Sequence, residues 1–542
     1  MNDPRDDHRA LLLRVARRAM MERGLEPDFS PPALAEAQAI PGPATPGETT
    51  TKDLRDLLWC SIDNDDSRDL DQLTVAVTDA GSATRILVAV AHVGALVHPG
   101  SALDDHAGTN TTSVYTAPMV FPMLPERLSN DLTSLNWNED RLAMVVEFTA
   151  DGEGHVGRWD VYPAMVRNKA KLAYSGVGPW LEGEGPIPPA AAAVPGLDEN
   201  LKAQDRVARA LKNKRHDEGA LELETIDVRA LFEGDRVAAL IPDLRNRAKE
   251  LIEDFMIAAN GVIARFLAGR SFPIVRRVVR SPERWQRIVE LAGRFGDSLP
   301  KQPDARALNQ FLIARREADP LRFPDLSLSI IKLLGRGEYV ASVPGEEVPG
   351  HFGLAVSQYT HSTAPNRRYP DLITQRLLHA AFRGERTPYS PDQLRGLADH
   401  CTKKEDDAQK VERLTRKSAA ACLLANRISE VFDGIVTGVN LNGTWARILD
   451  PPAEGRVERG ALGLDVGDRV RLKLVRTDPE RGFIDFERLG GGDASPPPAR
   501  SRRGGRSAPQ PPRRRPPRRN APHGSSGGGS RGGKPSPRTP RP

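Results

Sequence analysis

Five aspartates, Asp63, Asp65, Asp66, Asp69 and Asp71, fall within nine residues. Apolar stretches bracket them, with Leu57 to Ile62 before and Leu73, Val75 and Val77, then Ile86 to Val93, after. Runs of this length and pattern read as strands, so the chain must turn between buried strands while carrying a concentration of like charge. Carboxylates held within a few ångströms of one another repel and raise one another's pKa, and a fold that gathers them needs a cation among them. A divalent ion is the natural occupant, because Mg²⁺ takes hard oxygen ligands and shares its octahedron with substrate phosphates. The loop points to phosphate chemistry.

An EF-hand calcium loop has a similar spacing, with Asp63, Asp65, Ser67, Asp69 and Asp71 at positions 1, 3, 5, 7 and 9. It fails at two anchors: Arg68 stands where the sharp turn needs Gly, and Thr74 where a bidentate Glu is needed. A plain solvated loop is the other alternative, and the flanking strands argue against it.

Around the loop the chain divides by pattern. Apolar residues at helical spacing between Arg9 and Arg23 (Leu11, Leu12, Val15, Ala16, Met20) and a second helix over Pro32 to Ala39 predict a small helical domain, 1–39. Residues 40–51, rich in Pro, Gly and Thr, read as a linker. Helical periods over Arg245 to Leu267, Asp371 to Phe382 and Gln393 to Ile428, with the strands, make 52–428 a mixed α/β body. Between 429 and 489, short alternating strands separated by turns predict a five-stranded OB barrel, a fold that commonly binds single strands. Residues 490–542 are mostly Arg, Pro, Gly and Ser, too poor in apolar surface to offset chain entropy, and are expected to be a disordered basic tail. The class is multidomain α+β.

Charge follows the same division. Residues 491–542 carry a net +12, so the whole-chain value of +5 leaves −7 on the 490 residues before them. The tail would add salt-sensitive attraction to a polyanion, with a bare solubility or linker role as the alternative. Three cysteines without CxxC spacing support neither a disulfide scaffold nor a structural zinc site. There is no apolar signal core and no run near the roughly 18 apolar residues of a membrane span. A soluble, cytoplasmic monomer is expected.

A set of ordered motifs extends beyond the acidic loop. It runs from Ile62-Asp63 and Asp69-Leu70-Asp71 through His92-Val93, Val97-His98-Pro99-Gly100-Ser101-Ala102-Leu103-Asp104 and Thr112-Ser113-Val114-Tyr115. It continues with Pro122-Met123-Leu124-Pro125-Glu126-Arg127-Leu128-Ser129-Asn130-Asp131-Leu132, Ser134-Leu135-Asn136 and Gly219-Ala220-Leu221. Then come Leu251-Ile252-Glu253-Asp254-Phe255-Met256-Ile257-Ala258-Ala259-Asn260, His351-Phe352-Gly353-Leu354, Tyr359-Thr360-His361 and Pro365-Asn366-Arg367-Arg368-Tyr369-Pro370-Asp371-Leu372. In these motifs the chain resembles the ribonuclease II and ribonuclease R group of exoribonucleases.

The resemblance implies an RNB-type catalytic body and an S1-type barrel, and hydrolysis of RNA from the 3′ end, one nucleotide at a time, to nucleoside 5′-monophosphates. It implies one or two Mg²⁺ ions, with Mn²⁺ an alternative, on Asp63, Asp69, Asp71 and the residue at 72. It also makes Arg367 a catalytic contact to the scissile region and Arg368 an RNA-binding residue, against the plainer reading of Arg367 and Arg368 as surface cations at a helix start. Tyr115 is a stacking platform for the terminal base or simply a core aromatic. Glu412 is a carboxylate near the RNA end or an exposed helix charge. In the barrel, Phe432, Trp445, Arg447, Arg469, Arg471 and Lys473 are candidates for stacking and phosphate contacts, although some of the aromatics must fill the small core. His92 and His98 lack ligand spacing with another His or Cys and read as packing or hydrogen-bonding residues rather than metal ligands. The partner expected is single-stranded RNA, and structured RNA with a 3′ overhang if the entrance is more open.

Two departures from the family matter. Its usual fourth aspartate is Gln72 here, an amide that can ligate but brings no charge, so the second metal is weaker, or Asp65, Asp66 or substrate phosphate substitutes. Its usual pair of cold-shock-type barrels gives way to a short helical head, either a helix-turn-helix-like binder or a packing element. Two rival functions follow: an RNA-binding regulator with lost turnover, suggested by Gln72, and a DNA exonuclease. If Gln72 weakens the second metal, Gln72→Asp lowers the Mg²⁺ concentration needed for half-maximal RNA hydrolysis, measured by metal titration.

Overall fold

In a computed structural model, residues 7–47, 51–78 and 83–490 are described. The tail expected over 490–542 lies, from residue 491 on, outside them. The head forms as its periodicity predicts. Helix His8–Met21 buries Leu12, Val15, Ala16, Ala19 and Met20 and is capped by Asp7, while helix Pro31–Ala39 is capped by Ser30 with Pro31 in its first turn. The apolar ridge of the first helix is consumed in packing: Ala16, Ala19 and Met20 share a cluster with Ala408 and Val411 of the long helix Pro391–Leu424. That 34-residue helix starts with a capping box between Ser390 and Gln393.

The body is built on a seven-stranded sheet in the order Lys52–Asp53, Val156–Arg167, Asp140–Ala150, Thr84–Ala91, Gln72–Thr78, Cys60–Asp63, Ala170–Ala173. The central strands are buried almost throughout; Ile86, Val88, Val90, Val145 and Val146 are essentially inaccessible. Helices Leu197–Glu218 and Arg247–Gly269 cover the sheet. The acidic loop connects two antiparallel neighbours, Cys60–Asp63 and Gln72–Thr78, so it emerges at one end of a rigid platform. It is pinned there. The Leu70 side chain is buried, its N–H donates to Ser134 Oγ at 3.0 Å, and its carbonyl accepts the Leu135 N–H at 3.0 Å.

Helix Tyr369–Arg383 docks against the same sheet end. Gln375 bridges the two, its Nε2 donating to the Ala91 carbonyl at 2.7 Å and its Oε1 accepting the Gly94 N–H at 2.9 Å. A Cβ on Gly94 would lie 3.3 Å from Gln375 Oε1, so this close approach favours glycine. Deeper, Arg376 Nη2 meets Asp104 Oδ1 at 2.7 Å, and Tyr369 Oη donates to the same oxygen at 2.9 Å.

Strands Val431–Asn440, Gly443–Ile448, Ala453–Arg459, Phe483–Leu489 and Arg469–Asp478 close a five-stranded barrel, as the alternation predicts. A separate helical layer of Trp285–Arg294, Ala305–Ala318 and Phe323–Leu334 has its own core and was not foreseen from the sequence. Removing one partner of a buried ion pair leaves the other charge uncompensated. Asp104→Ala is therefore expected to cost about 3–5 kcal/mol, read as a lowered urea unfolding midpoint.

Candidate active site

Asp63 closes its strand, and its Oδ1 accepts the Asn64 N–H at 2.8 Å and the Ser67 hydroxyl at 2.9 Å. Asp69 is half-buried, and Asp71 is only 1 % exposed. The Asp71 carboxylate is gripped from the segment before helix Tyr369–Arg383: Oδ1 accepts the Asn366 N–H at 3.0 Å and Oδ2 the Arg367 Nε–H at 3.2 Å. Burial pushes the Asp71 carboxyl up to about 7, with Arg367 pulling it down and Asp69 pushing it up. Asp69 is also raised, by burial first, while Arg367 opposes and Asp63 adds. Arg367 is pulled down by desolvation, yet Tyr115 and the three aspartates hold its charge firmly in place. Its side chain stays 42 % exposed, so a substrate can reach it.

Arg367 is positioned by its backbone. Its carbonyl accepts the Ser113 N–H at 3.0 Å and the Thr112 hydroxyl at 3.2 Å. Asp371, in the first helical turn, accepts the Ala364 N–H at 2.8 Å and Arg368 Nη2 at 2.7 Å. Arg368 is thus turned onto a fully buried carboxylate, which corrects the expectation of an RNA contact there, and Arg367 is the member of the pair that faces the aspartates. Gln72 is buried at the first position of its strand, one residue beyond Asp71, where the pleat changes side. Asp65 is directed to Ser175, whose hydroxyl donates to it at 2.7 Å, and Asp66 is exposed.

Tyr115 lies in a small hairpin, Val114–Tyr115 with Val120–Phe121. The residue is 45 % exposed, but its hydroxyl end is desolvated. Its pKa is raised by that burial and then by Asp69, Asp71 and Asp63, with Arg367 opposing. Glu412 is half-buried, and its Oε1 accepts the Tyr115 N–H at 2.9 Å, which ties the hairpin to the long helix. Asn366 was quoted within a motif but not singled out. Its signal was its place in a Pro-Asn-Arg turn before a helix, where a backbone N–H is free to donate.

The barrel candidates separate. Phe432 is 6 % exposed and belongs to the barrel core, which corrects the expectation of a stacking face; strand alternation turns it inward. Arg447 is committed to Asp325 at 2.9 Å and largely buried, which corrects the expectation of a phosphate contact. Trp445 is half-buried, and Arg469 and Arg471 are exposed.

Among the described residues, no three His, Cys, Asp or Glu side chains stand together so that they could hold a metal ion by themselves. The donors present are carboxylate oxygens, and the buried Asp71 carboxyl ionises reluctantly without added positive charge. That set fits an ion shared between one or two carboxylates and the phosphate of a bound chain, the usual habit of Mg²⁺. Among the described residues no helix is long and apolar enough to cross a membrane.

A sheet end bearing clustered carboxylates and an arginine is thus followed along the chain by a closed five-stranded barrel. Residues 51–384 match the RNB domain, and residues 430–489 match the RNase II-type exonuclease C-terminal S1 domain. The chain belongs to the RNB family of exoribonucleases. Ribonuclease R of Thermotoga maritima is 30 % identical over 498 residues, covering 85 % of this chain and 68 % of that enzyme. The fold is similar to Mycoplasma genitalium RNase R in complex with ribose methylated single-stranded RNA (TM-score 0.78, 23 % identity, 88 % of this chain and 78 % of that one). It is also similar to yeast Ssd1, a pseudonuclease (TM-score 0.64, 16 % identity, 89 % and 58 %).

The bond from Tyr115 to Glu412 has a direct test. Glu412→Ala is expected to cost the hairpin about 1.5 kcal/mol, or roughly tenfold faster amide exchange at Tyr115, while Glu412→Gln, which keeps an acceptor, largely restores protection.

Proposed function

We propose that the protein hydrolyses single-stranded RNA processively from the 3′ end, releasing nucleoside 5′-monophosphates, with one or two Mg²⁺ or Mn²⁺ ions on Asp63, Asp69 and Asp71. The observation that carries this reading is the contact of Arg367 with Asp71 at 3.2 Å, beside the accessible ring of Tyr115. Arg367 offers a planar, partly open guanidinium to charge growing on the non-bridging oxygens of the scissile phosphate. Asn366 holds the Asp71 carboxylate in register with it. Asp63, Asp69 and Asp71 would hold such ions, which would supply a water made nucleophilic at neutral pH and charge stabilisation for the departing 3′ oxygen. Tyr115 stacks on the terminal base, an interaction worth roughly 1–3 kcal/mol and indifferent to sequence. Arg469, Arg471 and Trp445 on the barrel draw the strand in.

A second reading, an RNA-binding protein without turnover, is favoured by Gln72 and by the likeness of fold to Ssd1. One experiment separates them, and also tests a DNA exonuclease. A 5′-labelled RNA with a single-stranded 3′ overhang, and its deoxy counterpart, are incubated with ample Mg²⁺ or Mn²⁺ and resolved over time. The expected result is conversion of RNA alone to a short end product without accumulated intermediates; intact RNA would refute hydrolysis. In the same assay Asp71→Asn abolishes turnover, and Arg367→Ala lowers kcat by about 10²–10³-fold, both with RNA affinity nearly retained.

A further inference from the structure

The hairpin that carries Tyr115 has strands of two residues each, far too short to hold a conformation unaided. Glu412 fixes one side of it. The other side is fixed by the head. Arg9 Nη1 donates to the Pro118 carbonyl in the hairpin turn at 3.1 Å, and the same guanidinium lies 4.4 Å over the Phe232 ring. Ala117 of the turn packs into a cluster with Leu12 of the head helix, Val237 and Phe232. Val114 and Phe121 of the hairpin strands share a core with Ala16 and Met20. Arg9 is itself anchored, its N–H donating to the Asp235 carbonyl at 2.9 Å. Every residue of the turn that the head contacts lies within four positions of Tyr115.

We propose that the head helix His8–Met21 is a positioning element for the base-stacking platform: Arg9, through the Pro118 carbonyl, sets the hairpin turn and so the angle at which the Tyr115 ring meets the last base. The inference rests on the reading of Tyr115 as that platform. The consequence is specific. A long RNA is held by many contacts along its length, whereas a short one depends on the stack at its 3′ end, so the head governs the length at which the shrinking strand is released.

The test uses the full chain and a 5′-labelled unstructured RNA, followed to its limit product, with variants Arg9→Ala, Arg9→Met, Arg9→Lys and Tyr115→Ala and the double variant Arg9→Ala/Tyr115→Ala. Arg9→Met keeps an aliphatic chain but loses the donor to Pro118 together with the guanidinium's contacts to the Phe232 ring and the Asp235 carboxylate; Arg9→Lys keeps a donor and a positive charge. Expected are a limit product longer by about one nucleotide or more for Arg9→Ala and Arg9→Met, and a KM for short oligonucleotides raised about fivefold, with the smaller change in kcat. Melting temperatures stay close to wild type, and Arg9→Lys recovers much of the loss. In the Tyr115→Ala background the Arg9 change has no further effect, because both act through one ring. If Tyr115→Ala lengthens the product and the Arg9 variants do not, or if the two effects add in full, this inference falls and the stacking reading stands. If Tyr115→Ala leaves the product unchanged, both fall.

Discussion

The cleft is organised by the burial of the Asp71 carboxylate at the end of the sheet. An isolated ionised carboxyl there would be very costly, and the protein offsets that cost with one backbone N–H and one guanidinium delivered from a different part of the chain. To deliver them, the segment Pro365–Arg368 must be held within about an ångström of its place. That requirement explains the polar fastenings between helix Tyr369–Arg383 and the sheet end, with Gln375 on Ala91 and Gly94 and Arg376 on Asp104. A buried ion pair adds little net stability compared with apolar packing, but it enforces register. Register is what the cleft needs.

The same logic extends outward. The strand pair bearing Tyr115 is tied at Glu412 on the long helix and at Pro118 by the head, while the Ser113 N–H is tied to the Arg367 carbonyl. The Tyr115 hairpin and the Asp71–Arg367 pair are therefore linked through the backbone. A helical head stands before the body, and its apolar ridge is consumed against the long helix and the hairpin. The barrel is joined to the helical layer by the Arg447–Asp325 pair, which removes one cation from its surface while Arg469 and Arg471 remain exposed.

Features generated by local periodicity were legible in advance. The helices over Arg247–Gly269, Tyr369–Arg383 and Pro391–Leu424, the strands around the acidic loop and the five barrel strands all carry their period in the sequence. The acidic loop was legible because charge clustered between buried strands has few structural explanations, while Arg367 was picked out only by the resemblance of its motif. Phe432 was misassigned because alternation fixes which residues share a face but not which face is inward. Arg447 was misassigned because its partner, Asp325, is remote in sequence and belongs to a helical layer, Trp285 to Leu334, whose period was not read. The contact of Glu412 is likewise remote, with the Tyr115 N–H 297 positions away, whereas Arg368 pairs with Asp371 only three residues on.

The sequence by itself determined the chemistry available, oxygen ligands on a tight loop between strands and an arginine pair before a helix, because these depend on residue type and short-range spacing. It also determined the class of each element through its 2.0 or 3.6 period. Tertiary structure alone decided which arginine of the pair faces the carboxylates, which barrel aromatic is buried, and that the head supports the tyrosine hairpin. Those outcomes depend on contacts between residues hundreds of positions apart, such as Arg9 with Pro118 and Tyr115 with Glu412, and no local pattern encodes them.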